Sequence, residues 1–146
     1  MKVELRLQPE QAEPKIIILA GVETTQLREL IRRLEKLDLS PIPAFLGERA
    51  VLLEPEDILR FYTDGRWVAA QTAKETYCVR LRLYELEERL DEHQFARISN
   101  SEMVNLKHVT ALDLSLTGTI RMTLNGTVSA YVSRRYVKRI KQAIGL

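Results

Sequence analysis

Reactive and cross-linking residues are scarce in this sequence. One cysteine, Cys78, excludes an internal disulfide. In the apolar stretch Thr76-Tyr77-Cys78-Val79 its thiol reads as a small buried hydrophobe. The two histidines, His93 and His108, show no metal-ligand spacing to each other or to Cys78. There is no glycine-rich phosphate loop. No motif places a histidine as base for the serines of Ser99-Asn100-Ser101. Glu85, Glu87, Glu88, Asp91 and Glu92 crowd one stretch, and such clusters are usually solvated faces rather than acid/base pairs. The expectation is therefore no enzyme, no metal, no cofactor and no small-molecule substrate. The apolar run Ile16 to Gly21 is too short to cross a bilayer. Met1-Lys2-Val3-Glu4-Leu5-Arg6 lacks the uninterrupted apolar region of a signal peptide. Both points lead us to expect a soluble, cytoplasmic protein, linked to a membrane only through a partner.

Acidic residues are missing from one region altogether. The 146 residues hold 22 Lys and Arg against 20 Asp and Glu, a formal charge of +2, with 45% hydrophobic residues, enough for a real core. After Asp113 no carboxylate side chain occurs, while Arg121, Arg134, Arg135, Lys138, Arg139 and Lys141 give the C-terminal end six positive charges. The remainder holds 16 basic against 20 acidic residues. A basic end on an acidic remainder suits a polyanion partner, or else is a solvated basic helix.

Periodicity gives the elements. Val3 to Leu7 alternates as a half-buried strand, and the β-branched run Lys15 to Ala20 reads as a second. Thr24 or Thr25 caps a helix to about Leu37, with Leu27, Leu30, Ile31, Leu34 and Leu37 on one face. Ser40-Pro41-Ile42-Pro43 breaks the chain. We place a boundary there, between an N-terminal ββα segment (1–43) and a mainly β domain (44–146). In the latter, strands are expected at 50–53, 58–62, 67–72, 76–81, 109–116, 119–124 and 127–132. A short helix is expected at 84–90 and a final one at 134–144. Asn125-Gly126 is the strongest hairpin signal, because a type I′ turn needs positive φ at both central positions.

Three polar clusters sit at element ends: Asp64-Gly65-Arg66-Trp67, Arg97-Ile98-Ser99-Asn100-Ser101, and Ser133-Arg134-Arg135-Tyr136 followed by Lys138. Arginine's planar fork suits phosphate or guanine, and asparagine both donates and accepts, as an adenine edge requires. Short hydroxyls reach phosphate without bulk, and a helix start adds backbone N–H groups. The same residues have plainer readings: Ser133 as a cap, Asn105 as a turn former, Trp67 as core.

The segment Phe95-Ala96-Arg97-Ile98-Ser99-Asn100-Ser101-Glu102-Met103-Val104-Asn105-Leu106 resembles the signature of LytTR DNA-binding domains. Asn125-Gly126 followed by Val132-Ser133-Arg134-Arg135-Tyr136-Val137-Lys138 resembles that family's second signature. Glu56-Asp57-Ile58-Leu59-Arg60-Phe61 resembles its opening strand, and Leu83 to Leu90 its short helix. The resemblance covers about 44–146. It implies an elongated set of antiparallel sheets whose loops enter successive major grooves of double-stranded DNA. Carried over by position, it directs Arg66 and Trp67 toward DNA from the first loop, and Asn100 from the second with Arg97, Ser99 and Ser101 beside it. From the third it directs Arg135, with Ser133, Arg134 and Lys138 at the backbone. Ser99 departs from the pattern, since many relatives carry histidine there.

Residues 1–43 lack the acidic pocket of a phosphorylatable receiver. The whole chain is similar to compact stand-alone LytTR regulators of Gram-positive bacteria, a group whose members are often restrained by a small membrane protein. The leading expectation is a sequence-specific DNA-binding regulator that forms a homodimer through the strand 15–20 and the Leu27/Leu30/Ile31/Leu34 face, unless those residues only cover the β-domain. The alternative is a protein-interaction module regulated by a membrane partner. RNA binding through Tyr62, Trp67 and Tyr77 is a third option.

Overall fold

The computed structural model describes residues 1–37 and 40–146. Helix α1 (Thr25–Glu35) starts where Thr24 Oγ1 accepts from the Leu27 N–H at 3.1 Å. Its apolar residues fall on one face as expected, yet none is fully buried, and Ile31 is 40% exposed.

Two expected strands are absent. Residues 3–7 and 15–20 form no ladder. Alternation marks a face to be covered, but a strand also needs a neighbour to bond to, and these segments find none within the chain.

The fold is otherwise mainly β with short helices. One sheet contains β1 (Ile42–Leu46), β2 (Arg49–Leu53), β3 (Ile58–Asp64), β4 (Trp67–Thr72), β5 (Thr76–Val79), β6 (Phe95–Ser99) and β7 (Glu102–Asn105). Their order is β2-β1-β5-β4-β3-β7-β6, and every pairing is antiparallel. The second sheet runs β10 (Val128–Val132), β9 (Ile120–Leu124), β8 (Val109–Asp113). Helix α2 (Leu83–Arg89) joins β5 to β6, and α3 (Val137–Ile144) ends the fold. The chain break read at Pro41-Ile42-Pro43 is in fact the start of β1. Pro43 is tolerated because, counting back from the Gly47-Glu48 turn, it faces Leu52 at a non-hydrogen-bonded position. The ladder toward β5 is confined to Phe45 opposite Cys78.

Two cores follow from this layout. Ile42, Ile58, Phe61, Val68, Ala70, Val79, Phe95 and Met103 form the first, under Leu83 and Leu86 of α2. Leu59, Ile98 and Val104 use the opposite face to meet Ile120, Met122, Leu124, Ala130 and Val132 of the small sheet, and Ile140 of α3 closes that second core. β3, β6 and β7 are thus apolar on both faces. Register shifts in β3 between Ile58 and Arg60, and in β6 between Arg97 and Ser99, redirect side chains between the two. At the β9–β10 turn Asn125 and Gly126 have φ of 51° and 73°, and the Thr127 N–H donates to Leu124 O at 3.1 Å. Among the described residues no helix is long and apolar enough to cross a membrane.

Candidate nucleic-acid interface

The first polar cluster is the tip of the β3–β4 hairpin, where Gly65-Arg66 turns the chain and Asp64 pairs with Trp67. Trp67 is 42% exposed and so lies outside the core. The Arg66 guanidinium carbon lies 5.2 Å from the centroid of its ring.

The second cluster is the tight β6–β7 turn. The Ser101 N–H donates to Ser99 Oγ at 3.2 Å, and the two hydroxyls are 3.3 Å apart. Ser101 O accepts from the Thr63 N–H at 2.9 Å, which fastens this turn beside the end of β3, one residue before the first cluster.

The third cluster is fastened to the second. The Ser133 N–H donates to Ile98 O at 2.8 Å, and Tyr136 Oη donates to Asn100 Oδ1 at 3.1 Å. Three groups distant in sequence therefore stand in a row, with the Asn100-Ser101 turn in the middle. Thr63 had no local signal in the sequence, and Tyr136 was visible there only as a member of the third cluster, not as its tie to Asn100.

The candidate residues are not alike in that row. Arg66, Asn100, Arg135 and Lys138 are exposed. Among the described residues, Arg135 and Lys138 have no hydrogen-bond or ion-pair partner in the chain, and their charges face solvent. Arg134 is drawn sideways: a Cβ added to Gly118, at φ 75°, would meet its Nη2 at 2.8 Å, so its guanidinium rests on the β8–β9 loop. Ser133 does not cap a helix with its side chain. A 3₁₀ turn, Arg134–Tyr136, follows it, and α3 begins only at Val137. The Arg97 side chain is only 14% exposed, and each of its three guanidinium nitrogens makes a bond within the chain. Nε donates to Ser99 O at 3.1 Å, Nη2 to Asn100 O at 2.6 Å and Nη1 to Glu87 Oε2 at 3.1 Å.

Behind the turn, Glu102 pairs with Arg60 at 3.0 Å, and Arg60 Nε donates to Gln71 Oε1 at 2.7 Å. Burial pushes the Glu102 carboxyl above the usual carboxylate range, against the pull of the Arg60 charge. Asn105 is fully buried. Its Nδ2 donates to Ile58 O at 2.9 Å and its Oδ1 accepts from the Lys107 N–H at 3.0 Å, so it satisfies backbone and faces no ligand.

A basic, hydroxyl- and amide-bearing row carried on turns of a β scaffold is the layout of a DNA-binding domain that has no recognition helix. Comparison with known proteins narrows the class. The family model described as the LytTr DNA-binding domain matches residues 48–145. A solved LytTr DNA-binding domain from Bacillus cereus superposes with a TM-score of 0.70 at 17% identity, covering 73% of this chain and 98% of that one. Proteins of Staphylococcus aureus strains MSSA476 and NCTC 8325 are each 33% identical over 147 residues, covering 100% of this chain and 99% of their own. Both are named uncharacterized HTH-type transcriptional regulators. The chain belongs to the LytTR family of DNA-binding domains. Strands separate each α-helix from the next among the described residues, so no helix-turn-helix unit is present here despite the relatives' name.

Proposed function

We propose that this protein is a cytoplasmic transcription regulator that binds double-stranded DNA and reads its sequence with the three turns. The observation that carries this reading is the hydrogen-bonded row Thr63–Ser101, Ile98–Ser133 and Asn100–Tyr136. Arg66, Asn100 and Arg135 would address base edges, with Trp67 flanking the first. Ser99, Ser101, Ser133, Arg134 and Lys138 would contact phosphate. The family match favours this reading over that of a protein-interaction module restrained by a membrane partner. Selection from a random duplex pool supplies the preferred sequence, and gel-shift titration then tests the roles. Arg135→Ala should weaken duplex binding by about ten-fold or more, and Asn100→Ala should chiefly erase preference for the selected sequence. If both variants bind like the wild type, the site assignment is wrong.

Residues 1–43 are proposed to mediate self-association. Val3, Leu5 and Leu7 are 82–86% exposed, and Ile16, Ile17, Leu19 and Val22 are 67–91% exposed. Apolar side chains left open on this scale, alternating at 3–7 and clustered at 16–19, suit pairing with a second copy, which would supply the missing neighbour strands. A dimer would also present two DNA-reading edges to two half-sites. Sedimentation should give a dimer for the full chain and a monomer once residues 1–24 are removed. A monomeric full chain at concentrations that bind DNA would refute this part.

A further inference from the structure

We propose that Arg97 is a positioning residue that sets the shape of the DNA-facing turn, and that it does not itself touch DNA. The inference rests on reading the Asn100-Ser101 turn as a DNA contact. Between Arg97 and Ser99 the register of β6 against β7 slips, and Ile98 is sent into the second core with no exposed surface. Such a slip takes nearby backbone carbonyls out of the regular ladder. Arg97 answers two of them, Ser99 O and Asn100 O, at 3.1 and 2.6 Å. Its third direction, through Nη1, is taken by the Glu87 carboxylate of α2 at 3.1 Å. Three acceptors lie around one rigid planar cation, a geometry that a guanidinium matches and an ammonium cannot. The charge is already neutralised by Glu87, and only 14% of the side chain is exposed. Three of its five N–H groups are spent within the chain, and little surface is left through which a phosphate could meet the other two. The result is mechanical: α2, the β6 slip and the turn carrying Asn100 become one unit. Tyr136 then links that unit to the third cluster through the Asn100 side chain.

The test separates charge from shape. Wild type, Arg97→Lys and Arg135→Ala are titrated against the selected duplex and a scrambled one over a range of salt. Arg97→Lys keeps the charge and loses the fork. It should lower discrimination between the duplexes by about ten-fold while leaving the salt slope unchanged. Lys138→Ala, added to the same titrations as the phosphate-contact control, should lower the slope by about one, and Arg135→Ala should lower affinity and discrimination together. Glu87→Gln lies outside the turn and serves if Arg97→Lys does not fold, with a fall in discrimination of about three-fold expected. Unaltered discrimination in Arg97→Lys, or in Glu87→Gln where that variant stands in, overturns the inference. So does an Arg97→Gln variant whose salt slope drops by about one, the mark of a lost phosphate contact. Wild type that fails to prefer the selected duplex overturns the underlying reading, a result distinct from either of these.

Discussion

Asn105 shows how a residue can belong to a DNA-binding signature without facing DNA. Its amide donates to the Ile58 carbonyl where β3 begins, and accepts from the Lys107 N–H in the following turn. Asparagine is suited to this because it donates and accepts through one short side chain. Removing the amide takes these bonds from a buried carbonyl, that of Ile58, and from the half-buried Lys107 N–H. Asn105→Ala should therefore lower stability by about 1–3 kcal/mol, read as a reduced denaturant midpoint with an unchanged slope. A variant as stable as wild type would show that these bonds carry no weight. Asn100, five residues earlier, is the opposite case. It is exposed, and its side chain accepts a bond from Tyr136 that orients it at the surface.

Among the elements, β3 bears the most. It lies between β4 and β7, lines both cores and ends at the first polar cluster. Arg60 on this strand ties all three together, reaching Gln71 on β4 and Glu102 on β7. Burial raises the Glu102 carboxyl above its unfolded value, so the folded state holds that proton more tightly. The stability contributed by this group is fully present below the ordinary carboxylate pKa and is lost as pH rises through the raised value. Arg60→Ala removes the compensating charge and enlarges that loss. It should cost about 2–3 kcal/mol near neutral pH, discounted for partial exposure, and distinctly less at about pH 4.5. Melting curves at the two pH values decide this, and an equal loss at both would contradict it.

The same packing explains what could be read from sequence. β4, β9, β10 and α2 were legible because hairpin residues and one-sided burial give clean local signals. β6 and β7 were not, except through family resemblance. Phe95 and Met103 face one core while Ile98 and Val104 face the other, so the usual alternation disappears. The three site clusters were visible as local composition. Their alignment was not, because Asn100 and Tyr136 are 36 residues apart and meet only in the folded chain. At residues 3–7 the alternation and at 15–20 the β-branched run were real, but neither segment meets a neighbouring strand among the described residues.

At the scale of the whole molecule, the two cores share strands, and this is what holds the three turns in fixed relation. The second core joins β6 and β7 to the small sheet and α3, so the Arg135 region cannot shift without disturbing Ile98 and Val104. No acidic side chain follows Asp113, so the segment that carries the third cluster contributes only positive charge. The uncovered N-terminal residues take no part in either core. The central claim is that one row of turns meets the duplex. Following backbone amide NMR signals during titration with the selected duplex tests it most directly. Residues 64–67, 99–101 and 133–138 should shift together at a single stoichiometry, while those of α1 and the β1–β2 hairpin stay in place. Shifts centred on α1 or β1–β2, with the three turns unmoved, would contradict it.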